Sequence, residues 1–136
     1  MTTLAILIMA TTMLYSQQIR INEFMASNAT VVADEDNDYP DWIELYNAGN
    51  TTLNLQGYGL SDDPAQPFRW IFPQQSIGPN QFMLVFASGK DRRIAGQPLH
   101  TNFSISAAGE PLLLSAPAGH RIDSIGPVAL QTDISY

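Results

Sequence analysis

Six acidic side chains, Asp34, Glu35, Asp36, Asp38, Asp41 and Glu44, fall within eleven consecutive positions of this chain. Carboxylates at every second residue, as at Asp34, Asp36 and Asp38, can turn hard oxygen ligands onto one divalent ion, which is the chemistry of a calcium loop. The helix–loop–helix form of that site is excluded. Tyr39 stands where such a loop needs glycine, and Leu45 occupies the twelfth place with Glu44 one position early. What remains is a sandwich-loop calcium site on Asp34, Asp36, Asp38 and Asp41, since crowded carboxylates repel one another until a counter-ion joins them. The alternative is a solvated acidic loop neutralised by Arg92 or Arg93.

The segment Lys90-Asp91-Arg92-Arg93 gathers three of the six basic side chains. Forked arginine donors suit a sulfated or phosphorylated ligand, but such a cluster after a strand is more often a polar connection paired with nearby carboxylates. His100 and His120 are the only imidazoles, and neither has a second histidine at ligand spacing. Ser88, His100 and Asp62 can be written as a hydrolase triad, yet no nucleophile elbow or oxyanion loop accompanies them. Glu23, Asp41 and Glu44 can be written as glycosidase carboxylates, with nothing in the pattern to select them. The chain therefore reads as non-catalytic, with no catalytic residue and no cofactor beyond the candidate calcium ion. Trp42 and Trp70 form a sugar platform if exposed and belong to the core if buried.

The elements that position these residues are strands. Apolar side chains recur at a period of two in short runs closed by Gly, Pro, Asn and Asp. The runs are 19–25, 41–46, 52–55, 58–60, 68–72, 82–86, 99–105, 111–115 and 121–125. In the second, Ile43 and Leu45 face one way and Trp42, Glu44 and Tyr46 the other. The run Phe82-Met83-Leu84-Val85-Phe86 is apolar on both faces, which predicts a central strand with cover on each side and a cost of about 2–5 kcal/mol for Leu84→Ala. Eight or nine short strands indicate a sandwich or a barrel, and spacing alone does not choose between them.

Length and composition set the frame. A chain of 136 residues holds one ordinary core, and its 45% apolar content is enough to fill it. A net charge of −7 argues against phosphate backbones and anionic membranes as partners. With no cysteine, stability must come from packing. Residues 1–18 carry no charged side chain and centre on Leu4-Ala5-Ile6-Leu7-Ile8-Met9-Ala10, which predicts a secretory signal peptide cleaved after Ser16 and a secreted or cell-surface product.

Several motifs, in order along the chain, carry a family resemblance. Ile21-Asn22-Glu23-Phe24-Met25-Ala26-Ser27-Asn28 begins it, and Asp34-Glu35-Asp36-Asn37-Asp38-Tyr39-Pro40-Asp41-Trp42-Ile43-Glu44-Leu45-Tyr46-Asn47 continues it. Leu55-Gln56-Gly57-Tyr58-Gly59-Leu60-Ser61-Asp62-Asp63, Ala87-Ser88-Gly89-Lys90-Asp91-Arg92-Arg93 and Leu99-His100-Thr101-Asn102-Phe103 complete it. The chain resembles the bacterial exported form of the lamin tail domain over residues 19–125. The resemblance implies an all-β, immunoglobulin-like β-sandwich, and so chooses sandwich over barrel. It also implies a binding, adhesion or domain-positioning role beside other modules, such as a kinase-like domain of the spore-coat CotH type. The partners expected are a downstream module of the same polypeptide and a protein or cell-surface glycan. In the accessory-domain alternative, the catalytic part lies beyond Tyr136; in the other alternative, calcium on the acidic loop makes the chain a calcium-dependent adhesion module. Residues 126–136 are expected to be a linker to that module, with no strand to pair with.

Overall fold

Ile43 and Leu45 are fully buried, whereas Glu44 and Tyr46 beside them are only partly so, the two-residue period of a strand with one face inward. The same patterning shapes the whole of residues 18–136, which are the residues described by this computed structural model. The signal peptide expected over residues 1–18 lies, apart from Gln18, outside them. Ten strands follow in order: β1 (Ile19–Met25), β2 (Asp41–Asn47), β3 (Leu53–Asn54), β4 (Gly59–Ser61), β5 (Trp70–Ile71), β6 (Ser76–Ile77), β7 (Phe82–Ala87), β8 (Leu99–His100), β9 (Leu112–Ser115) and β10 (Arg121–Ile125). One sheet has the order β1-β2-β7-β8 and another the order β10-β9-β4-β5, with a small β3-β6 pair beside them. Ile21, Phe24, Ile43, Leu45 and Val85 of the first sheet meet Leu60, Trp70, Leu112 and Leu114 of the second in one continuous core. The fold is an all-β, immunoglobulin-like sandwich.

Two local devices set the register. A bulge between Ile21 and Glu23 adds one residue to β1, so that Ile19 and Ile21 point inward before it and Phe24 points inward after it. Without the extra residue Phe24 would face outward. Gly57 turns the chain between β3 and β4 at φ 83°, with the Tyr58 amide donating to the Leu55 carbonyl at 3.0 Å.

The structure corrects the reading of β7. The strand is interior to its sheet, but it is not covered on both faces along its length. Val85 is fully buried, Leu84 is half-buried, and Phe82 is 57% exposed on the outer face. Only the Ala87 end of that face has cover: there Phe86 joins Met25 and Trp42 in a small outer cluster, with Val32 and Leu84 packed on it. The full core penalty therefore belongs to positions such as Val85 and Leu45, not to Leu84. The expected run 99–105 is a strand only at Leu99–His100, because Thr101 Oγ1 turns back to donate to the Phe103 carbonyl at 2.7 Å. β6 was not expected at all; it is two residues long and sits in a polar stretch.

Residues 126–136 do not stand free of the domain. They run back across it, and the amides and carbonyls of Phe24 and Tyr136 bond reciprocally at 3.0 and 2.9 Å on the outer edge of β1. The expectation that this stretch has nothing to pair with is thus corrected: β1 is an edge strand, and its free backbone groups are the partner.

Candidate functional site at the acidic loop

The loop from β1 to β2 is closed by its own polar side chains. Asn28 accepts from the amides of Val31 and Val32 and donates to the carbonyls of Val32 and Pro40, at 2.6 and 2.8 Å, which ties the start of the loop to its end. Asp34 Oδ1 accepts from the amides of Asp36 and Asp38 at 2.9 and 3.0 Å, the local competition with the backbone that aspartate is suited to. Asn37 takes the left-handed conformation at φ 63° that completes this turn.

The other carboxylate oxygens converge on one cation. Lys90 Nζ, just past β7, lies 2.5 Å from Asp34 Oδ2 and 2.8 Å from both Asp36 Oδ2 and Asp38 Oδ2. The Asp34 side chain has no exposed surface. The three carboxylates lie within 4.8 Å of one another, close enough to share an ion, and the lysine ammonium stands at their meeting point. Asp41 is not among them. It opens β2 and accepts from the Ile105 amide at 3.0 Å, and burial pushes its carboxyl up despite that bond and one from the Asn28 backbone.

Beside this cluster, Arg92 pairs with Glu35 and, at 2.6 Å, with Asp36 Oδ2. Arg93 does not join; it pairs with Asp91 at 2.7 Å and lies over the Trp70 ring. His100, on β8, has no exposed surface and stacks on Phe86. Its Nε2 lies 2.9 Å from Glu35 Oε2, and its Nδ1 lies 2.8 Å from Ser88 Oγ. An ionised Glu35 can only accept, so Nε2 carries the proton, and in that tautomer Nδ1 accepts the hydrogen bond that Ser88 Oγ donates.

Ser88 and His100 are thus brought together, but with Glu35 as the carboxylate; Asp62 is paired with Arg69 at 2.6 Å. Both ring nitrogens are engaged and the ring is sealed, so the arrangement fastens the loop to β7 and β8. Glu23 and Glu44 face each other across β1 and β2, and each takes its own hydrogen bond, from Ser135 Oγ and Asn22 Nδ2. Trp42 and Trp70 are both buried, so they form no sugar platform. The Trp42 indole N–H has no acceptor among the described residues. Sequence reasoning missed Lys90 as the neutralising cation; its one signal there was being the sole lysine in an acidic chain.

The electrostatics follow from this geometry. Burial pushes the Asp34 carboxyl up, but the Lys90 ammonium and the Asp38 and Asp36 amides outweigh it and hold it below the usual range. Arg92 and then Lys90 bring Asp36 down to about 2. Burial likewise raises Glu35, while its own amide, His100 and Arg92 bring it below its ordinary value. Lys90 is raised, by Asp34, Asp36 and Asp38 in that order. Depressed carboxylates contribute stability that is present above their unfolded pKa and lost as pH falls toward their folded one. Asp41, with its raised carboxyl, works in the opposite sense and offsets part of that loss. The thermal midpoint is therefore expected to hold from neutrality down to about pH 5 and to fall between about pH 4 and 2. Circular dichroism melts across that range check it; a flat profile would mean that the loop charges do not stabilise the fold.

The sequence profile of one family, described as the Lamin Tail Domain, matches residues 15–129 and so spans both sheets, the acidic loop and Lys90. The chain belongs to the lamin tail domain family. No curated protein sequence matches it closely enough to count as a relative. In this lamin tail domain, the loop between β1 and β2 and the segments after β7 and at β8 come together at one end of the first sheet. No helix among the described residues is long and apolar enough to cross a membrane.

Proposed function

We propose that this lamin tail domain is a non-catalytic module of the bacterial exported type, working outside the cell to attach or position its neighbours in a larger secreted or cell-surface protein. One observation carries the reading: the reactive-looking groups neutralise one another. Asp34, Asp36 and Asp38 close on Lys90, and Glu35 closes on His100 and Arg92. A catalytic site keeps a nucleophile or base within reach of substrate, whereas here the charges stiffen a loop. In this reading calcium is not required, because Lys90 supplies the counter-charge from within. The partners proposed are a following module, such as a CotH-type kinase-like domain, and a protein or glycan at the cell surface.

Export is tested by expressing the full chain in a secreting bacterium and weighing the product from the medium. The expected mass lacks residues 1–16. Protein that stays inside the cell, or that is recovered outside it with Met1 retained, removes the cleaved leader from this reading.

A further inference from the structure

We propose that residues 130–136 form a strap that holds the acidic loop closed, so that displacing the strap releases the loop. Asp133 is its grip. The Asp133 amide donates to the Ser27 carbonyl at 2.7 Å, while its Oδ1 accepts from the amides of Ala29 and Thr30 at 2.6 and 3.1 Å, and its Oδ2 from Thr30 Oγ1 at 2.7 Å. These bonds fall on both sides of Asn28, the side chain that ties residue 28 to Val32 and Pro40. Asp133 therefore fixes the backbone from which Asn28 must reach across the loop. Its own φ of 60° is in the left-handed region, which a side-chain-bearing residue adopts at a cost that local bonds must offset.

The remaining contacts extend the grip along β1. Thr132 Oγ1 and Ser27 Oγ lie 3.1 Å apart, and Ser135 Oγ donates to Glu23 Oε1 at 2.5 Å. Tyr136 pairs with Phe24 through both backbone bonds, with ring centroids 5.6 Å apart. Leu130 is the anchor, packed on the core with its amide on the Ala107 carbonyl at 3.0 Å. Beyond that anchor the strap is superficial: Ile134 is 54% and Tyr136 58% exposed. Few buried apolar contacts and solvent-reachable hydrogen bonds place it at the low-stability end of the molecule, able to open while the sheets stay folded. The loop it would release includes Val32, which covers Met25, Trp42 and Phe86. An extended peptide competing for the Phe24 edge, or tension on residues 134–136, would then reach the acidic loop without touching it.

Hydrogen exchange on the full chain tests the coupling. With Asp133→Ala, exchange at the Val32, Asp36 and Asp38 amides is expected to rise about tenfold or more, with β9 amides changed by less than about twofold. A rise confined to Ala29 and Thr30 would reduce Asp133 to a local cap and overturn the proposal; an equal rise in β9 would overturn it as general destabilisation. Coupling is reciprocal, so Asn28→Ala must speed exchange at the Asp133 and Tyr136 amides by a similar factor relative to β9. No change at those two amides would overturn the proposal independently.

Discussion

Replacing Lys90 by alanine is expected to lower the unfolding free energy by about 2–4 kcal/mol, because it removes the single cation on which three carboxylates converge. The dominant loss is at Asp34, whose side chain has no exposed surface and would stay buried with only backbone amides to hold its charge. Asp36 and Asp38 are 42% and 66% exposed, so solvent screens their share and keeps the total below that of a fully buried triad. Urea denaturation of the wild type, Lys90→Ala and Lys90→Met separates lost charge from lost volume, since methionine restores most of the side-chain bulk. If Met rescues stability to within about 0.5 kcal/mol of the wild type, packing rather than charge is what Lys90 supplies.

Calcium adds a second readout to the same variants. With Lys90 present, millimolar calcium should leave the thermal midpoint where it is, because the ammonium already stands among Asp34, Asp36 and Asp38. With Lys90→Ala, Asp34 and Asp38 lose their counter-charge and only Arg92, beside Asp36, remains, so an ion bound only by the folded state raises the midpoint. A calcium-dependent midpoint in the wild type would instead show that the ion competes with the lysine and belongs to the native protein.

The second large effect is expected at Trp70, where truncation to alanine should cost about 3–5 kcal/mol. This is the largest of the fully buried side chains; it meets Phe72 edge-on at 4.8 Å between ring centroids. Its indole N–H donates to Asp91 Oδ1 at 3.1 Å, which ties β5 to the basic segment after β7. Trp70→Phe keeps most of the apolar area and gives up that bond, so it should cost roughly 1–2 kcal/mol. Phe82→Ala, at a ring 57% exposed beside Tyr46, is the contrast and should change stability by less than about 1 kcal/mol. Denaturant curves on the three variants decide the order; equal losses at Trp70 and Phe82 would contradict the placement of the core.

The limits of β1 and β10, the inward pair Ile43 and Leu45, and the turn at Gly57 follow from alternation and turn chemistry, which act over a few neighbouring residues. The cluster of acidic residues was equally plain, but not what neutralises it. Lys90 reaches Asp34 across 56 positions, and Glu35 reaches His100 across 65, and only the stacking of β7 and β8 beside β2 brings those segments within range.

Sequence by itself thus determined that this protein is built of short amphipathic strands around one core, with an acidic loop between the first two, because the period of a strand is written into consecutive side chains. Tertiary structure alone decided which face of β7 is covered, where Asp41 goes, and that residues 130–136 lie on the edge of β1. Cover on the outer face, a counter-charge for a buried carboxylate and a partner for a free strand edge all come from segments distant in the chain, and no local pattern of residues encodes which distant segment will arrive.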